Sequence, residues 1–207
     1  MLLDADDSQL VLVDYQTRLM PVIFENQLVL ANAVRLARMA RLLKVPVWGT
    51  AQNPDKLGQN LAEVQAAIDS AGGKTLSKMH FSAAADGLID WLRPPVRKPP
   101  AGGNARSLPR HLQKTAEPEE AGRSMIVIAG CEAHVCLLQT ALDLLEEEFD
   151  VWVVTDACGS RSERNRDAAF DRLAGNGAEL VTTEMVAFEW ARTAAHERFR
   201  EMLLLIK

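Results

Sequence analysis

The stretch Met125–Glu147, MIVIAGCEAHVCLLQTALDLLEE, decides how the rest of the chain is read. Met125-Ile126-Val127-Ile128-Ala129 is a continuous apolar run of the kind found in a strand covered on both faces. After Gly130 and a short polar segment, the chain resumes from Val135 as an amphipathic helix. Leu138, Ala141, Leu142 and Leu145 fall at the i, i+3, i+4, i+7 spacing of one buried face. Cys136 therefore sits where a parallel strand hands over to a helix. Ligands of open α/β sheets bind at the carboxyl ends of strands. A helix N-terminus there offers unpaired N–H groups and a positive dipole end, and both favour a thiolate. Chemistry is expected at this turn.

Working outward, the same strand-then-helix grammar repeats. Leu10-Val11-Leu12-Val13 reads as a central strand ending at Asp14, and Leu28 to Leu43 as a helix. Val45 to Thr50 is a second strand with Pro46 at its beginning. Gln52 to Gly58 is loop chemistry, and Leu61 to Ala71 a short helix stopped by Gly72-Gly73. Lys74 to Ser77 is a weaker strand leading to Lys78, and Ala83 to Leu92 a further helix. Beyond Met125–Glu147, Val151 to Val154 is a strand and Ser162 to Gly175 a helix with Ser162 as its cap. Ala178 to Val181 is a last strand, and a final helical region starts at Thr182 and extends towards Leu205. This alternation predicts an α/β fold, a doubly wound, about six-stranded parallel sheet with helices on both faces. The Pro-, Gly- and charge-rich stretch 93–123 is an insertion, either exposed with a short helix near 108–114 or a flap.

At 207 residues the chain is expected to form one domain with a substantial core. Apolar residues at 48% and charged residues at 25% suit a globular protein in water. The net charge of −5 argues against nucleic acid or an anionic membrane as partner. Three cysteines make no disulfide framework, and the opening MLLDADDSQL is acidic, unlike a signal or transit peptide. No apolar run approaches the roughly 20 residues of a membrane span. A cytoplasmic setting is expected.

Three chemistry-bearing residues stand at strand ends: Asp14, Lys78 and Cys136. Each has a plain alternative, a loop or cap for Asp14, a solvated surface position for Lys78, a small core residue for Cys136. A parallel sheet brings these ends to one edge. Together with their surroundings they resemble the isochorismatase-like cysteine hydrolases, the family that includes nicotinamidase and N-carbamoylsarcosine amidohydrolase, and most closely its isochorismatase-domain branch. The likeness lies in LVLVDYQTRLMP, VWGTAQNPDKLGQN, SKMHFSA, AGCEAHVCLLQTALDLLE and the strand–helix–strand unit from Val151 to Glu184, and it spans nearly everything but the insertion.

The resemblance implies a small-molecule hydrolase with Cys136 as nucleophile, Asp14 as general base and Lys78 completing the triad. It also implies an oxyanion hole from the backbone N–H groups of Glu132 and Cys136, and a cis peptide at Cys131–Glu132. The chemistry is sound on its own terms. A carboxylate takes the thiol proton, an ammonium steadies the thiolate, and the protonated carboxyl later returns the proton to a leaving amine. The metal-dependent relatives carry an Asp-x-His pair where this chain has Thr50-Ala51-Gln52-Asn53-Pro54, and the four histidines show no metal-ligand spacing. Neither metal nor other cofactor is expected.

Gln52 either faces the pocket or structures its loop. His134 either lines the pocket or lies on the surface, and Tyr15 and Phe81 either wall the pocket or pack the core. Cys131 and Cys158 read as structural thiols and Asp156 as a turn or cap. The resemblance implies a homo-oligomer, a dimer or larger; Phe199, Met202, Leu203 and Leu205 would dock on a partner subunit or on the chain's own sheet. A catalytically silent scaffold of the same fold is the alternative function. A nucleotide-binding module is disfavoured, because no strand–helix turn carries G-x-G-x-x-G or a Walker sequence.

Overall fold

The apolar runs become six parallel strands: β1 (Ser8–Val13), β2 (Val47–Gln52), β3 (Lys74–Lys78), β4 (Met125–Gly130), β5 (Asp150–Val154) and β6 (Glu179–Val181). They lie in the order β3-β2-β1-β4-β5-β6, the doubly wound sheet expected. The computed structural model describes residues 1–94 and 122–207. Most of the stretch 93–123, including the helix expected near 108–114, lies outside the described residues. No described helix is long and apolar enough to cross a membrane.

The helices are α1 (Asn26–Leu42), α2 (Pro54–Leu57), α3 (Ala62–Ser70), α4 (Leu88–Leu92), α5 (Leu138–Glu146), α6 (Glu163–Gly175), α7 (Thr183–Ala191) and α8 (Phe199–Ile206). From the centre the chain winds outward twice, β1 to β3 in one direction and β4 to β6 in the other. Right-handed crossovers then put the two sets of helices on opposite faces. Accordingly α1 packs with α3, α7 and α8, while α5 packs with α6. Leu10, Val11, Leu12, Ile126, Val127 and Ile128 are fully buried between these layers. Each such side chain contributes on the order of 1.5–3 kcal/mol relative to exposure.

The winding reverses between β1 and β4, and register sets the level of the residues there. Val13 pairs with Thr50 on one side and Gly130 on the other, while Gln52 pairs with Lys78. Asp14, Gln52, Lys78 and Cys131 therefore share one edge. Gly130 has to be glycine: a methyl group on it would strike the carbonyl oxygen of Val13 and lie 2.8 Å from its Cα.

The structure corrects some of the expected elements and bears out the caps expected at Ser162 and Asp156. The helix expected over Ala83 to Leu92 is a 3-10 turn at Ala84–Asp86, a left-handed Gly87 (φ 100), and then α4. The loop after β2 holds the one-turn α2, begun by Pro54 at its first position. The last helical region is broken at Arg192 (φ 57) into α7 and α8. α8 settles on α1 and α7 of its own chain, burying Met202, with Phe199 tilted 6.1 Å from Phe188. Ser162 caps α6 by accepting from Asn165 N–H. Asp156 acts as a cap: its Oδ1 accepts from Thr183 N–H and Oγ1 at 2.8 and 2.9 Å.

Candidate active site

At the end of β1 the chain turns sharply. Asp14 has a left-handed backbone (φ 54), and Gln16 N–H closes the turn onto Asp14 O at 2.8 Å. Its carboxylate is fully buried. Thr50 Oγ1 donates to Oδ1 at 2.6 Å, and Lys78 Nζ lies 2.8 Å from Oδ2, both side chains of that ion pair being sealed from solvent. Lys78 is thus no surface lysine. Desolvation of such a pair costs several kcal/mol per ion, and only close geometry with further hydrogen bonds offsets it. Those bonds are present: Lys78 Nζ donates to Gln52 Oε1 at 2.7 Å, to Phe81 O at 3.0 Å and to His80 O at 3.3 Å.

Gln52 is held at its backbone and at its side chain. Its backbone is clamped by Gln16, whose side chain bonds both Gln52 N–H and C=O at 2.9 Å. Its side chain accepts from Lys78 and donates to Met79 O at 2.7 Å. Cys136 Sγ is 3.9 Å from Gln52 Oε1.

Cys136 does not stand at an ordinary helix start. Residues Ala133–Leu137 form a π-helical turn that runs into α5, and Cys136 as a residue is 5% exposed. Burial pushes the Cys136 thiol up to about 12; the charge of Asp14 adds to the rise and the Lys78 ammonium opposes it. The dipole argument pointed the other way, and desolvation outweighs it because the sulfur is inside the molecule. The resting group is a thiol flanked by a carboxylate and an ammonium.

The turn itself is laced together. Cys131 N–H donates to Val13 O, Ala133 N–H to Gly159 O, and Val135 and Leu137 N–H both donate to Glu132 O. The Cys131–Glu132 peptide is cis. Glu132 N–H makes no hydrogen bond among the described residues. The Glu132 side chain accepts from Arg161 N–H at 3.2 Å and from Arg161 Nε at 2.9 Å. His134 is occupied at the same rim, with Nδ1 3.0 Å from Ser160 Oγ and Nε2 3.4 Å from Asn165 Nδ2.

The remaining candidates divide. Tyr15 is fully buried and donates its hydroxyl to Ala157 O at 2.6 Å, so it braces β1 against the β5 loop. Phe81 is the opposite, an exposed ring whose backbone carbonyl holds Lys78. Cys131 and Cys158 are buried free thiols. Two contributors escape sequence reasoning: Thr50, which donates to Asp14, and Arg161, which donates to the Glu132 side chain. Thr50 had a faint signal, a hydroxyl following Val47-Trp48-Gly49. Arg161 had none.

The chain is similar to known proteins in sequence and fold. The family model of the isochorismatase domain matches residues 113–185. Isochorismatase domain-containing protein 2A of Mus musculus is 33% identical over 205 residues, 98% of this chain and 84% of that protein. Among solved structures, the MAR1 ribonuclease from Caenorhabditis elegans aligns over 100% of this chain and 92% of its own, with TM-score 0.83 and 27% identity. YcaC from Pseudomonas aeruginosa, solved with hexane-2,5-diol and covalent acrylamide, aligns over 98% and 90%, with TM-score 0.78 and 25% identity. By likeness along almost its whole length, the chain belongs to the isochorismatase domain family.

Proposed function

We propose that the protein is a metal-independent cysteine hydrolase of a small amide or related acyl substrate, with Cys136, Asp14 and Lys78 as its reacting groups. One observation carries the reading: a carboxylate and an ammonium, both sealed from water, are locked together beside the Cys136 thiol at the edge where the sheet reverses. The cationic place next to Asp14 Oδ2 is filled by Lys78, so this donor set has no need of a metal ion there.

Burial keeps Cys136 overwhelmingly a thiol at neutral pH, and attack by a pre-formed thiolate would draw on the small ionised fraction alone. Proton transfer to Asp14 as the C–S bond forms avoids that limit, and a positioned general base contributes about 10²–10⁴-fold. Sγ adds to the substrate carbonyl carbon, and its proton passes to Asp14. The backbone N–H groups of Glu132 and Cys136 receive the oxyanion. Collapse breaks the C–N bond, and Asp14 gives its proton to the departing amine. Water, deprotonated by Asp14, then cleaves the thioester to release the acid and restore the thiol.

The Caenorhabditis elegans neighbour is a ribonuclease by name, but RNA as substrate is the weaker reading here. The net charge of −5 opposes a polyanion, and Asp14 and Lys78 are inside the protein. The covalent acrylamide in the YcaC neighbour, an electrophile that thiols attack, supports using acrylamides as probes of Cys136. The reading includes a homo-oligomer, supported by the exposed apolar side chains of Val22, Phe24 and Leu28, and sedimentation of the full chain tests it.

The deciding experiment is Asp14→Asn. Removing the carboxylate charge makes the thiol more acidic, so alkylation of Cys136 by iodoacetamide moves to lower pH. Turnover of a panel of small amides, ureas and esters drops by about 10²–10⁴-fold. Turnover that survives Cys136→Ala overturns the reading.

A further inference from the structure

The loop leaving β3 turns its carbonyls inward. Lys78 O accepts from Asn53 N–H at 2.8 Å, Met79 O from Gln52 Nε2 at 2.7 Å, and His80 O and Phe81 O from Lys78 Nζ. In a trans peptide the C=O and N–H point in opposite directions, so inward carbonyls leave outward N–H groups to be satisfied. One side chain accepts the first two. Asp86 Oδ2 takes Met79 N–H at 2.8 Å and His80 N–H at 2.9 Å, and Asp86 Oδ1 sits 2.9 Å from His80 Nδ1. The other end of the loop is fixed to α5: Ser82 Oγ donates to Asp143, and Ala83 N–H donates to Thr140 Oγ1 at 3.0 Å. α5 continues from the turn that carries Cys136.

We propose that Asp86 is a positioning residue that acts through this loop, clamping its N–H groups from outside so that its carbonyls and Gln52 hold the Lys78 ammonium against Asp14 and Cys136. The role rests on the reading of those three as the reacting groups. Asp86 reaches none of them itself. Hydrogen bonding from His80 holds its carboxyl below the usual value, so the clamp is anionic at neutral pH. A residue that merely closed the 3-10 turn at Ala84–Asp86 would affect stability alone. A residue that sets the Lys78 position also sets how strongly the ammonium opposes the rise in the Cys136 thiol.

The test is the pH dependence of Cys136 alkylation by iodoacetamide in the full-length protein, read by peptide mass spectrometry beside a thermal melt. Asp86→Ala is expected to slow alkylation at every fixed pH at which the protein is folded, by about tenfold for each unit the thiol is pushed further up. Asp86→Asn keeps an oxygen where Oδ2 stands and is expected to restore the wild-type profile. A folded Asp86→Ala protein with the wild-type profile overturns the proposal, however far its melting temperature falls. Should Asp86→Ala fail to fold, Asp86→Ser decides in the same way, its shorter side chain accepting one N–H rather than two. The parent reading fails separately: amide turnover that persists in Cys136→Ala removes the nucleophile, whereas the alkylation profile still reports whether Asp86 places Lys78.

Discussion

The thiols of Cys136 and Cys158 are both pushed up to about 12, and for both the leading cause is burial. Around Cys158 the remaining influences are a backbone hydrogen bond from Gly130, which lowers it, and the charge of Asp156, which is committed to capping Thr183. Around Cys136 they are Asp14 and Lys78, which act in opposite directions on the same proton. A raised thiol is therefore the common property of two buried cysteines. What sets one apart is a base able to take its proton and a cation able to steady the anion left behind.

The comparison breaks most directly at the level of turnover. Cys136→Ala is expected to abolish hydrolysis of whichever small amide or ester the wild type turns over, while Cys158→Ala leaves kcat within about twofold, since a buried thiol without a base contributes packing alone. Steady-state kinetics on the two variants side by side checks this. Equal losses would mean that Cys136 is no more than a core residue.

Stability sharpens the contrast between the two environments. Lys78→Met leaves the Asp14 carboxyl in the interior without its cation and with Thr50 as its side-chain donor, and breaking a buried pair in this way costs about 3–5 kcal/mol. Adding Asp14→Asn, which tolerates the left-handed backbone at this position, is expected to recover most of that loss, because the interior then holds no unpaired charge. The double variant would be stable and inactive, which separates what the pair does for the fold from what it does for chemistry. Glu201→Gln, by comparison, removes an exposed partner of Arg198 and is expected to change urea unfolding by less than about 1 kcal/mol.

The frame of this site was open to sequence reading because its physics is local or one-dimensional. Apolar runs without alternation mark strands covered on both faces, and β1 and β4 are such runs. A parallel sheet then delivers Asp14, Lys78 and Cys136 to one edge whatever their separation along the chain. What could not be read depends on register and on burial. Gln52 matters because it pairs with Lys78 across β2 and β3, which a one-residue slip would undo. The π-helical turn at Ala133–Leu137 has no periodicity long enough to detect in five residues. The direction of the Cys136 shift escapes sequence reading for a related reason: a helix-start argument counts the dipole, whereas the burial of the residue, which dominates, is a property of the packed molecule. Asp86 accepts from loop backbone and Arg161 donates to the Glu132 carboxylate, and nothing in their neighbours announces either.

Alkaline unfolding tests whether the two thiols do share one origin for their shift. Both fold-state values lie above the ordinary thiol value of 9.0, so the stability each contributes is complete below about pH 9 and is lost as the pH rises towards about 12. Within that window each thiol steepens the fall by about 1.4 kcal/mol per pH unit, because the unfolded chain ionises and the folded one does not. Cys131 and Tyr15, also raised by burial, add to the same trend. Cys158→Ala and Cys136→Ala are each expected to flatten the dependence of unfolding free energy on pH by one thiol's worth, measured by urea titration between about pH 9 and pH 11. Asp14→Asn makes the two cases diverge. Removing that charge lowers the Cys136 thiol, so part of its contribution disappears from the slope, while Cys158, whose charged neighbour is Asp156, keeps its own. An unchanged slope in Asp14→Asn would mean that Asp14 does not act on the Cys136 proton, and the distinction between the two cysteines would reduce to their depth in the protein.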